Sequence, residues 1–236
     1  MGPPIDPSLW DNTTNTSTIA ATPDDQGTMA PCTCLPAMYL TLSELQALQS
    51  FDFPQVIIPL RKAMGVLSDL IHCPQCPKDT FSATQNISSI ASLCKVIVER
   101  FNKVLMGIDA EAERLEQNGE KKPYRIGEVN PALQHLHTGT LDCPMGFNIE
   151  LEAKDWKRMV KTALKSEIYG NGSNPRPLMT LLAEAEARQK RWHEDEEFYC
   201  EEREYLFGDR EENAKRECHA LGADHIKAVI GKLRWE

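Results

Sequence analysis

Apolar residues recur along this chain at steps of three and four. The longest run is Ile87, Ile90, Cys94, Ile97, Phe101, Val104 and Ile108. Such spacing draws one continuous stripe down a helix. It predicts a helix over residues 82 to 117, opened by a capping box of Ser82 with Gln85 and stopped at Asn118-Gly119 by a left-handed turn. A helix of that extent is roughly 50 Å long at 1.5 Å per residue. It needs partners along its length.

The flanking patterns supply them. Thr41 with Glu44 reads as a second capping box, opening a short helix to about residue 50 with Leu42, Leu45 and Leu48 on one face. After a break at Phe51-Asp52-Phe53-Pro54, Ile57, Leu60, Met64, Leu67 and Ile71 predict a helix over 55 to 71, with Pro59 tolerated in its first turn. The proline-stiffened turn at 72 to 79 joins it to the long helix as an antiparallel hairpin. Residues 118 to 148 are broken by Gly119, Pro123, Pro131, Gly139 and Pro144, with Tyr124 and Ile126 as expected anchors to the core. A connection of that length is unusual in a compact domain, so part of it is expected to be ordered or functional.

Helical rhythm then resumes. Trp156, Met159, Val160, Ala163 and Leu164 mark a helix over about 150 to 169. Leu178, Leu181, Leu182, Ala185, Gln189 and Trp192 mark the next, with Glu184, Glu186, Arg188, Lys190 and Arg191 on its expected exposed face. Residues 193 to 217 are strongly charged and read as a solvated helix with a small apolar edge of Phe198, Tyr199, Tyr205 and Leu206. A last helix over about 216 to 233 turns Leu221, Ile226, Val229, Ile230 and Leu233 inward. Almost nothing reads as strand. The expected fold class is all-α: an irregular helical bundle around one long central helix.

Residues 1 to 31 break the pattern. They are rich in Thr, Asn, Pro, Ser and Asp, and no Lys or Arg precedes Arg61. With few large apolar side chains they cannot offset the entropy of ordering, which predicts a disordered acidic arm. The expected organisation is therefore this arm at 1–31, a helical regulatory domain at 32–193 and a charged helical tail at 194–236. The whole chain of 236 residues is 41% hydrophobic and carries a net charge of −9. That sign disfavours direct binding to a nucleic acid. No apolar run approaches the length of a membrane span, and no signal-peptide pattern opens the chain. The eight cysteines are accordingly read as reduced thiols of cytosol or nucleus.

Chemistry is sparse. There is no glycine-rich phosphate loop, nucleophile elbow or zinc-protease histidine pair, so no residue is assigned to catalysis. His135 and His137 stand two apart in a loop, and Cys218, His219 and His225 read as packing or exposed residues. Cys94 belongs to the central stripe. Four other cysteines carry three readings, one of them a redox or disulfide pair. Cys32-x-Cys34 and Cys73-x-x-Cys76 could together hold one tetrahedral zinc ion, tying the start of the domain to the hairpin turn. Alternatively they are four small thiols packing helix ends.

Taken together, Cys32-x-Cys34-Leu35, the Leu42 to Leu48 run, Ile71-His72-Cys73-Pro74-x-Cys76 and the long apolar helix form a recognisable set. With Tyr124-Arg125-Ile126-Gly127, Cys143 and Phe147, Trp156 to Leu164, and the Gln189 to His193 end, it resembles the C-terminal regulatory region of fungal zinc-cluster transcription factors of the aflatoxin regulatory protein type. The resemblance covers roughly residues 32 to 193. It implies a nuclear, non-enzymatic regulator of transcription, often of a secondary-metabolite gene cluster. Those factors also carry a basic six-cysteine zinc cluster that binds DNA. This chain shows no such cluster, so no DNA-contacting residue is carried over, and it is expected to be either a stand-alone regulatory domain or a shortened gene product. Its expected partners are proteins, either a DNA-binding transcription factor or a second copy, with no direct nucleic-acid or membrane contact. A small interaction protein with a structural zinc, and a helical ligand-binding protein or enzyme, are the alternatives.

Overall fold

The central stripe folds into a helix of 39 residues (Thr80–Asn118), about 58 Å long by its rise per residue. The structure is a computed structural model describing residues 32–127, 131–138, 143–209, 211 and 219–236. The arm expected at 1–31 and Cys218 lie outside the described residues. In chain order the elements are α1 (Cys34–Gln46), α2 (Ile57–Ile71), α3 (Thr80–Asn118), β1 (Lys122–Gly127), β2 (Gly146–Leu151), α4 (Ala153–Tyr169), α5 (Leu178–Glu194), α6 (Glu201–Phe207) and α7 (Ala223–Gly231).

Every residue of the expected stripe is buried in α3, and Leu93, Val98, Leu105, Ala112 and Leu115 are buried beside it. One stripe would need one partner. This wider apolar surface is covered by α1, α2, α4, α5 and α7, so α3 is the axle of the core. The cap differs from the expected one. Asp79, not Ser82, closes the helix start, its carboxylate accepting from the Ser82 amide at 2.7 Å. At the other end Gly119 takes a left-handed conformation (φ 64°), and its amide returns to Glu116 and Leu115.

α1 begins well upstream of Thr41. Pro36 fits the first turn, where no amide is needed, and the Thr41 hydroxyl instead donates to the Ala37 carbonyl at 2.9 Å inside the helix. Glu44, the other half of the expected box, pairs with Lys62 of α2 at 2.7 Å. α2 keeps the expected face: Leu60, Met64, Leu67 and Ile71 are buried.

The expectation that almost nothing is strand fails at β1 and β2, which pair antiparallel with Tyr124 opposite Ile149 and Ile126 opposite Phe147. The apolar alternation there is too short, and too interrupted by Gly and Pro, to register as a strand pair. Tyr124 and Leu151 pack against the core. Ile126 does not anchor the ribbon as expected: it and Phe147 stay exposed at the ribbon's far end.

α4 buries Trp156, Val160, Leu164 and Ile168, and its Glu167 receives Arg61 of α2 through two hydrogen bonds, at 2.9 and 2.5 Å. α5 buries its expected face, and also Arg188, which was expected in solvent. The charged stretch that follows yields only the short α6. Its Tyr205 and Leu206 are exposed, while Arg203 is fully buried with its guanidinium 3.9 Å from the centre of the Trp192 ring. α7 turns Ile226 and Ile230 inward, with Leu221 and Leu233 at its ends; Val229, expected inward, is half exposed. Among the described residues no helix is long and apolar enough to cross a membrane.

Candidate metal centre

Two short segments far apart in sequence bring four sulfurs together. Cys32 stands just before α1, and Cys34 is its first residue. Cys73 and Cys76 sit in the turn between α2 and α3, where Cys76-Pro77-Lys78 forms a single 3-10 turn. The apolar faces of α1, α2 and α3 converge in one core, and that packing brings the start of α1 against the end of the hairpin. The Cys32 sulfur lies 3.6 Å from that of Cys73 and 3.3 Å from that of Cys76. All four sulfurs fall within 4.8 Å of one another.

Those separations suit one ion. A tetrahedral zinc with bonds of about 2.3 Å to sulfur sets its sulfurs about 3.8 Å apart. They are too long for a disulfide, and all four cysteines are free thiols. Each short loop also wraps backbone amides onto a sulfur, as metal knuckles do. The Cys34 amide donates to the Cys32 sulfur at 3.4 Å. Burial opposes ionisation of Cys73, but backbone hydrogen bonds from Cys76 and Gln75, with the Cys34 and Cys32 thiols, outweigh it and bring its thiol down to about 7. Burial, then contact with Cys32 and Cys73, pushes Cys76 up to about 12 and raises Cys34 further still. Cys73 is thus the readiest of these to ionise, while Cys34 and Cys76 resist losing their protons without a cation to offset the charge. Cys76 is buried and the other three are half-buried, so an ion has a way in from solvent.

The tight spacing of Cys32 and Cys34 is accommodated because Thr33 turns the chain (φ −96°, ψ 7°) as the helix starts, which brings both sulfurs to the same side. Sequence reasoning missed Arg188, which burial first and the nearby Arg191 charge second pull down from its ordinary pKa, while the Cys76, Cys73 and Cys34 thiols act to raise it. Its position was legible: Leu181, Ala185, Arg188 and Trp192 continue the buried rhythm of α5.

The remaining candidates stay apart from this group. His135 and His137 are exposed, the latter with its Nδ1 3.8 Å from the Cys143 sulfur. His225 is exposed and lines a groove of about 480 Å³ between α3 and α7, with Val98, Glu99, Ile226, Val229 and Leu233. The groove lining offers no hydroxyl or thiol nucleophile. Cys94 is buried in the core, as its place in the stripe predicts.

The chain is similar to Transcription factor rglT of Aspergillus fumigatus, with 27% identity over 185 residues, 74% of this chain and 40% of that protein. A second strain of that species gives the same figures. Transcription factor rglT of Emericella nidulans is 26% identical over 165 residues, covering 69% of this chain and 36% of that protein. The chain thus spans about two fifths of the length of the curated relatives it matches. No family model matches it. No solved structure matches it either. The relatives are named as transcription factors, and both species are fungi.

Proposed function

We propose that this chain is a regulatory, protein-interacting part of a fungal transcription regulator, working in the nucleus on a secondary-metabolite gene cluster. Cys32, Cys34, Cys73 and Cys76 hold a structural zinc ion in it. The similarity to Transcription factor rglT over most of the chain carries this reading. The secondary-metabolite part rests on the resemblance to aflatoxin regulatory proteins alone. The zinc is structural rather than catalytic in this reading: four protein ligands close its shell, leaving no position for water or substrate. Nor does the chain itself grip DNA, because a net charge of −9 repels a polyanion. It acts through protein contact with a DNA-binding factor or a second copy.

The regulatory role is tested by fusing the full chain to a heterologous DNA-binding domain and reading a reporter in a fungal nucleus. A several-fold change in transcription is expected. A well-expressed nuclear fusion that leaves the reporter unchanged would overturn the role. The metal is tested separately, by elemental analysis of protein purified without chelator. Near-stoichiometric zinc is expected, falling to background in a Cys73→Ser, Cys76→Ser double variant. Wild-type protein with no more zinc than that variant would remove the metal.

A further inference from the structure

Helix α5 touches the cysteine-bearing turn on both sides of its two cysteines. Before Cys73, the His72 Nε2 lies 3.7 Å from a Glu184 carboxylate oxygen. After Cys76, the Trp192 indole donates to the Pro77 carbonyl at 3.2 Å. Residues 184, 188 and 192 stand four apart, so they form one row on the helix. With both ends of the row fixed, its middle position faces the turn between His72 and Pro77, where Cys73 and Cys76 lie. That position is Arg188. It is 6% exposed, and its Nε is buried with no hydrogen-bond partner. None of the described ion pairs includes Arg188, and Glu184, one turn before it, lies against His72 instead. A permanently charged guanidinium left unpaired in a protein interior is costly, and this one stands on the helix face that meets the cysteine-bearing turn.

We propose that Arg188 is the outer counter-charge of the metal–thiolate centre, an inference resting on the reading of the four cysteines as zinc ligands. A divalent ion held by four thiolates has a net charge of about −2. Arg188 offsets part of it from its place on the face of α5 that meets the turn. The buried cation and the buried anionic centre thereby stabilise each other, which couples metal loading to the seating of α5. The coupling extends past α5, since Arg203 stacks on the Trp192 ring that closes the row. Arg188 is a positioning residue here; the cysteines remain the ligands.

The test compares full-length wild type, Arg188→Met and Arg188→Lys. Zinc affinity is read by competition with a chromophoric chelator, and the ligand field by cobalt(II) substitution. Arg188→Met should bind zinc 10- to 100-fold more weakly, the usual loss for an outer-shell partner, and Arg188→Lys should recover part of it. The sulfur-to-cobalt charge-transfer band should move to longer wavelength in Arg188→Met, because its sulfurs lose a positive neighbour. Without metal, Arg188→Met should melt no lower than wild type, having lost an unpaired buried charge. Wild-type affinity and an unshifted band in Arg188→Met would overturn the assignment while leaving the metal reading intact. Should Arg188→Met fail to fold, wild-type affinity and an unshifted band in Arg188→Lys together with Arg188→Gln would overturn it equally. A wild-type protein that binds no zinc ends both readings.

Discussion

Glu111 shows how much one carboxylate near the end of α3 can organise. Arg114 donates to it at 2.8 Å, and Lys122 of β1 at 2.6 Å. Hydrogen bonds first from Arg114 and then from Lys122 hold its carboxyl down to about 2, against an ordinary value of 4.5. Because the folded value is the lower one, this contribution to stability is complete above pH 4.5 and is lost as pH falls towards 2. Melting curves of wild type and Glu111→Gln should therefore differ at neutral pH and converge across that window. Glu167 makes a sharper case, being 5% exposed and held by Arg61. Arg61→Met leaves that acid buried and unpaired. Since Arg61 is itself partly exposed, the expected loss is about 2–3 kcal/mol, at the low end for a broken buried pair. Chemical denaturation measures it, and adding Glu167→Gln should restore part. Such residue details were the least legible in sequence. Arg188 was assigned to solvent by its type although its spacing was that of a buried position, and Asp79 was passed over because Ser82 and Gln85 also satisfied a cap pattern.

At the scale of elements, helical rhythm carried most of the information. The stripes of α3 and α5 are buried where the spacing put them, and those of α2 and α4 are too except for half-buried Ile57, Met159 and Ala163, because a step of three and four can be satisfied only on one face of a helix. Where the pattern was weak the reading slipped. α1 starts earlier than its expected cap, and the β1–β2 ribbon was missed because cross-strand pairs such as Tyr124 with Ile149 join residues from both ends of a broken stretch. The axle role of α3 gives a direct expectation. Ile97 is fully buried and Met106 on the same helix is half exposed. Ile97→Ala should cost about 2–5 kcal/mol through lost contacts and the cavity left behind, while Met106→Ala should stay within about 0.5 kcal/mol. Urea unfolding of the two variants checks both, and equal losses would mean that α3 is not the centre of the core.

For the whole molecule, the cysteine group was half legible. Sequence supplied the two pairs and their residue type. It could not supply the packing that carries the α1 start to the hairpin turn, because that contact spans 41 residues and depends on α1, α2 and α3 burying one another. A bound ion stabilises only the folded chain, so at free zinc one hundred times its dissociation constant it adds about 2.7 kcal/mol. For a domain of this size that corresponds to about 5–11 °C in Tm. Stripping zinc-loaded protein with a chelator should lower Tm by that order, with recovery on adding zinc back. An unchanged Tm would argue for four thiols that merely pack.

Coordination at Cys32, Cys34, Cys73 and Cys76 would also close the backbone between them into a ring, with the α1–α2 connection as its outermost arc. Gln49, Ser50 and Asp52 on that arc are exposed to a protease. A single cut there opens the ring without freeing either piece. The severed α1 fragment would remain joined through two sulfur bonds to the ion and through the burial of Met38 and Leu45. Continuity of the chain would have been exchanged for an ionic joint, and the fragment would come away only when that joint was dissolved.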